Sequence, residues 1–184
     1  MISRDEAYAL VCERIPQRNL VSHCVATEII MRALAVRLGV GESDADRWAL
    51  AGLLHDLDYA ETADDPERHG LITAQQLTGL IDDEMLHAIL AHACKVDRES
   101  PMDHALWCAD PTTGFVVAAA LVRPEKKLSA VDVSSLLKRW KEKAFARGAS
   151  REQMAGHEAL GLEREEFLGL ALSAMQARSD ELGL

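Results

Sequence analysis

The stretch at residues 48–57, WALAGLLHDL, limits most tightly what this chain can become. Seven apolar or small residues run without a break, and then His55 and Asp56 arrive side by side. A segment apolar on every face is a buried helix. A carboxylate is almost never fully buried unless it is paired or bound to a metal. An imidazole and a carboxylate at the end of a buried helix therefore need a compensating partner. A metal ion is the most economical one, so other ligands should be found elsewhere in the chain.

The surrounding sequence reads as helices. Ser3-Arg4-Asp5-Glu6 fits a capping box and opens a helix to about Ile15, stopped by Pro16. Asn19 suits the N-cap of a second helix ending at Gly39. Its inward stripe runs His23, Thr27, Ile30, Leu34, Leu38, so His23 points inward. Ser43-Asp44 resembles a further N-cap, opening the buried helix. Residues 58–67, DYAETADDPE, are acidic and interrupted by Pro66, and read as a loop at the mouth of the site.

A helix over about 68–79 carries His69 in its first turn. Asp82-Asp83-Glu84 favours the next helix start, and Met85, Ala88, Ile89 and His92 share one stripe of that helix. Ser100-Pro101 opens another helix that runs through Ala105-Leu106-Trp107-Cys108-Ala109 to Asp110. Pro111 predicts a kink or break, with apolar residues continuing to Val122. Two more helices are expected at about 150–160 and 163–182, and no β-type alternation is convincing.

Composition agrees. A chain of 184 residues, 48% hydrophobic but only 4% aromatic, with five prolines, reads as one all-α domain. No stretch reads as long and apolar enough to cross a membrane, and MISRDEAYAL does not resemble a signal peptide. Cys12, Cys24, Cys94 and Cys108 form no C-x-x-C pair and read as reduced core thiols of a cytoplasmic protein. A net charge of −10 argues against general nucleic-acid or membrane binding.

Any one inward histidine is readily accounted for as a hydrogen-bonded core residue, and Asp110 before Pro111 as a turn or cap residue. Together the set is harder to dismiss. His23, His55, Asp56, His92 and Asp110 each sit on an apolar stripe or at the end of an apolar helix, with His69 beside them. Packed helices can aim such side chains at one point. Nitrogen and carboxylate ligands without cysteine suit iron, manganese, cobalt, nickel or zinc. His87, His104 and His157 lack such context and read as surface or helix-end residues, and Cys108 as a buried structural thiol.

His23, the adjacent His55-Asp56, and Asp110 after an Ala-rich helix (WCAD) resemble the H…HD…D signature of the HD superfamily of metal-dependent phosphohydrolases. The resemblance covers most of the chain to about residue 122. His69-Gly70 and His92 resemble the two further histidines of two-metal members, a six-ligand pattern similar to that of bacterial symmetrical dinucleoside-tetraphosphate hydrolases of the HD type. The segment from ADPTTGFVVAAALVRPEKKL onward departs from those enzymes and resembles small HD proteins of unassigned substrate. The fold so implied is a single HD-type helical bundle over residues 1–184, with a core at about 1–122 and a basic helical extension at about 123–184.

The resemblance implies one ion held by His23, His55, Asp56 and Asp110, and a second held by His69 and His92, with Asp56 bridging. It implies a phosphate ester or anhydride of a small metabolite or nucleotide as substrate, attacked by a metal-activated water. Asp56 and Asp58 are the candidate catalytic carboxylates, with Asp58 orienting the water or the metal shell. Within residues 123–147, eight cationic residues face only Glu125, Asp132 and Glu142. Arg123, Lys126, Lys127 and Lys143 are therefore candidates to neutralise a phosphate. Equally, Lys138, Arg139 and Lys141 fit the solvated face of a helix anchored by Leu136, Leu137 and Trp140. Two other functions stay open, an HD-type di-iron oxygenase and a non-catalytic metal- or nucleotide-binding regulator. A homodimer is compatible with the sequence.

Overall fold

The computed structural model describes residues 1–184. At its centre is helix α3 (Glu42–Leu54), whose residues from Trp48 to Leu54 are all buried. It forms an antiparallel pair with α2 (Arg18–Arg37). The pair closes tightly because Gly52 faces α2. A Cβ there would come within 2.9 Å of the Thr27 backbone and of Met31 Cγ. Glycine costs about 1 kcal/mol of helix propensity relative to alanine at such a position. Here it lets two helices carrying His23 and His55 approach.

Around this pair lie α1 (Arg4–Arg14), the short α4 (Tyr59–Thr62) and α5 (Leu71–Leu77), then α6 (Asp83–His92) and α7 (Pro101–Leu121). The Ser3–Glu6 capping box forms, and Ser100 with Asp103 forms another at α7. Asp82 caps α6 and is gripped by Arg47 of α3 at 2.7 and 3.0 Å, which fixes where α6 begins relative to α3. Met85, Ala88, Ile89 and His92 are all buried, as their spacing requires. There is no strand; Thr78 and Ile81 form one isolated bridge.

Several sequence expectations are corrected. Gln17 and Gly41, not Asn19 and Ser43, occupy the N-caps of α2 and α3, and neither uses a side chain. His69 precedes α5 rather than lying in it. Pro111 does not break α7, which continues to Leu121. The Thr112 and Thr113 hydroxyls bond back to the Cys108 and Asp110 carbonyls beside the proline. Helix α2 is long and apolar enough to cross a membrane by length and composition, contrary to expectation, yet its residues 24–31 are core and include Glu28. Cys12 and Cys94 are exposed; Cys24 and Cys108 are buried. His157 is 2% exposed, not a surface residue, and its Nδ1 donates to the Leu162 carbonyl.

Beyond α7 the chain folds back through α8 (Val133–Trp140), α9 (Arg151–Met154), α10 (Arg164–Ala177) and α11 (Ser179–Leu182). One hydrophobic cluster runs from Ala7 to Leu182, so this segment shares the core of the rest in a single all-α domain. Glu28, 5% exposed, accepts from Arg4 Nε and Nη2, both at 3.0 Å, and lies 3.6 Å from Arg178 Nη1. That network ties the first and last helices onto α2.

Candidate metal centre

Four helices and one turn deliver six side chains to one point. α2 brings His23, the end of α3 brings His55 and Asp56, the turn before α5 brings His69, α6 brings His92, and α7 brings Asp110. Asp56 is the hub. Its Oδ2 is 3.5 Å from His23 Nε2. Its Oδ1 lies 3.5, 3.5 and 3.6 Å from Nε2 of His55, His69 and His92. His23 Nε2 is 3.3 Å from His55 Nε2, and 3.1 Å from Asp110 Oδ1. Two overlapping triads result, His23–His55–Asp56 and Asp56–His69–His92, each with ligand atoms within 4.8 Å of one another.

All four histidines present Nε2 inward because Nδ1 is engaged outward. His55 Nδ1 donates to the Gly52 carbonyl at 2.8 Å, His92 Nδ1 to the Ile89 carbonyl, and His69 Nδ1 to Asp58 Oδ1 at 2.8 Å. His23 Nδ1 donates to Thr113 Oγ1 at 2.7 Å, whose own hydrogen goes to the Asp110 carbonyl. Such outward bonds set the tautomer and orientation of a ligating imidazole. His55 is the C-cap of α3, still with right-handed helical dihedrals, and Asp56 follows in the turn beyond; their side chains approach to 3.5 Å.

The electrostatics call for a cation. With every Nδ1 proton committed, the centre gathers Nε2 atoms and two carboxylates around one point, where positive charge, a proton on His23 or a metal ion, is the group that balances the carboxylates. Buried His92 Nε2 has no hydrogen-bond partner at all. Burial alone would lower the His23 pKa, but the carboxylates of Asp110 and Asp56 outweigh it and push it up to about 10. Burial opposes ionisation of Asp56 and Asp110 too. His55, His23 and His92 nonetheless hold Asp56 well below the usual carboxylate range, and His23 with His55 does the same for Asp110. The donor set, two carboxylates and four imidazoles without sulfur, suits a divalent transition metal.

The other expected site residues lie elsewhere. Asp58 is fully buried, and its carboxylate accepts from His69 Nδ1 and from the backbone amides of Gly70 and Thr73. It orients His69, which is the metal-shell part of the role expected for it. His69 and the two amides hold it below the ordinary aspartate range against the effect of burial. Arg123 sits thirteen residues past Asp110, ~20 Å along α7 at 1.5 Å per residue. It lines a separate polar cavity with Lys138 and Arg139, 3.6 Å from Asp132. Lys126 and Lys127 are exposed in the turn beyond that end. Lys143 lies beside Trp140 and Phe145, which meet Phe115 edge to face. Phe115 is five residues past Asp110, roughly 140° around the helix. None of these four cations is paired with any of the six converging side chains.

Sequence reasoning missed Thr113, Thr73 and Gly52. Thr113 was the most accessible, since a threonine three residues past an aspartate can reach that residue's carbonyl. Gly52 leaves no local signal, because its role depends on a helix twenty-five residues earlier.

No curated protein and no solved structure matches the chain. A family model described as HD domain matches residues 20–144, a span that takes in all six converging side chains. With that match over more than half its length, and with His23, His55-Asp56 and Asp110 assembled as the motif requires, the chain belongs to the HD domain family.

Proposed function

We propose that the protein is a metal-dependent phosphohydrolase acting on a phosphate ester or anhydride of a small metabolite or nucleotide. The observation that carries this reading is the pair of triads joined through Asp56. His23, His55, Asp56 and Asp110 would hold one ion, and Asp56, His69 and His92 a second. Two divalent ions in such a site lower the pKa of a water and neutralise the phosphoryl oxygens.

The chain's own residues supply the frame. His55 and His92 are sealed in the core and fix the floor. His23, His69 and Asp110 keep 21, 20 and 27% of their side chains exposed, and so form the open side from which a phosphate enters. No side-chain nucleophile competes with water. Burial pushes the Cys24 and Cys108 thiols up, and the Thr113 hydroxyl is committed on both sides. Hydrolysis then forms a bond from the water oxygen to phosphorus, the water giving one proton to solvent, and breaks the bond to the leaving oxygen, which takes one proton from solvent. The products are an alcohol, or a second phosphate, and inorganic phosphate.

The test is elemental analysis of anaerobically purified protein, with phosphate release measured over a panel of phosphate esters and nucleotides. Bound metal with phosphate release supports the reading. Oxygen consumption without phosphate release would replace it with the oxygenase.

A further inference from the structure

Beside the metal ligands lies a cavity of about 340 Å³ between α2 and α7, and His23 forms part of its wall. Its position follows from helix periodicity. Asn19 and Ala26 lie four residues before and three after His23, on the same stripe of α2. Gly114 and Val117 lie four and seven residues past Asp110, on the same stripe of α7. All four line the cavity, so its walls continue the faces that carry the metal ligands. Leu182 and Leu184 close it from the α11 side. Gly183, at φ +69°, turns the chain there, and the Leu184 amide bonds back to the Ser179 carbonyl.

The lining chemistry is distinctive. Apart from His23 it holds no ionisable side chain, and its polar groups are Asn19, Ser22 and Thr113. A charged group entering this half-open cleft would lose part of its water and find, beyond His23, no charged partner. An apolar group would be favoured by roughly 25 cal/mol per Å² buried. A cavity of roughly 150 Å³ already accepts benzene, so this one has room for a ring with substituents.

We infer that this cavity is the leaving-group subsite, and that the substrate is a phosphate monoester whose alcohol is uncharged, largely apolar and about the size of one ring system. The inference rests on the phosphohydrolase reading. It disfavours polyphosphate leaving groups, whose second phosphate would meet no cation there. Asn19 and Ser22 offer an amide and a hydroxyl to a neutral polar substituent. Gly114 lies exposed at the rim, where a Cβ meets nothing within 4 Å, so a larger side chain has open space to project into.

The experiment compares benzyl phosphate with methyl phosphate in the metal-loaded protein and in Gly114→Leu. Replacing a mid-helix glycine raises helix propensity, so the variant is expected to fold; circular dichroism and metal content verify that. The wild type should favour benzyl phosphate in kcat/KM by about ten-fold or more, and Gly114→Leu should erase most of that preference through KM. A preference that survives in the variant, or is absent from the wild type, overturns the subsite. Affinities for benzylphosphonate and methylphosphonate, measured calorimetrically in both proteins, decide the same question without turnover. If neither ester releases phosphate, the hydrolase reading falls. A benzylphosphonate preference lost in Gly114→Leu would then still establish the cavity.

Discussion

Thr113 Oγ1 lies 2.7 Å from His23 Nδ1 and, in the same residue, donates to the carbonyl of Asp110. One hydroxyl thus orients a ligand on α2 and braces the turn that presents a ligand on α7. Thr113→Val keeps the shape and deletes both bonds. Metal affinity at the His23 side should fall by ~10–100-fold, and Thr113→Ser should restore most of it. Wild-type affinity in the valine variant would show that His23 needs no such brace.

His55→Ala or Asp56→Ala should abolish metal retention and any phosphatase activity, because His55 anchors one triad and Asp56 belongs to both. Elemental analysis of each purified variant decides this. Normal metal content in both would sink the site assignment.

Asp58→Ala acts on one side of the centre only. It frees His69 Nδ1 and two backbone amides, without touching His23 or His55. The ion held by His69 and His92 should bind ~10–100-fold more weakly, lowering the measured metal stoichiometry while the His23-side ion stays. Equal loss of both ions from a folded variant would contradict this division.

Arg151 is a stability residue remote from the metals. Its guanidinium lies 4.3 Å above the Phe115 ring and donates to the carbonyls of Ala149 and Phe145 at 2.8 and 2.9 Å. Burial lowers its pKa. Arg151→Met should destabilise the fold by about 2–4 kcal/mol, mostly by leaving carbonyls unpaired, and leave metal content as in the wild type. Thermal unfolding with elemental analysis tests both halves.

The charge pattern makes Lys126 and Lys127 candidates to meet the phosphate, and their placement beyond the far end of α7 makes the opposite expectation. A Lys126→Ala/Lys127→Ala double variant should show the KM of the wild type for an anionic ester. A several-fold rise in KM would bring this turn back to the site.

His55, Asp56 and His92 were legible because burial constrains them, whereas His23, His69 and Asp110, partly exposed, were joined to them by position on or beside an apolar helix and by the H…HD…D resemblance. An aspartate inside WALAGLLHDL, or a histidine on the Met85–Ala88–Ile89 stripe, loses its water on folding and must be compensated by a partner in the core. Helix starts were legible where side chains cap them, as at Ser3, Asp82 and Ser100, and misplaced where the backbone alone does so, as at Gln17 and Gly41. The basic segment misled for a different reason. Charge in a sequence records how many cations there are, not where they sit: α7 runs eleven residues past Asp110 before Arg123, Lys126 and Lys127 follow. Pro111 misled because a proline withholds one backbone N–H from the helix ladder, and the helix can run on past it, as α7 does to Leu121.

Gly52 contributes no side chain to the centre, only the carbonyl to which His55 Nδ1 donates, yet it sets the gap across which His23 and His55 meet. A substitution there would act as a wedge. In a screen that scores only activity, position 52 would therefore rank with the ligands themselves, and a map of loss-of-function positions would overstate how many residues do chemistry. The aperture of this site is held by an absence of atoms, which no inventory of reactive side chains records.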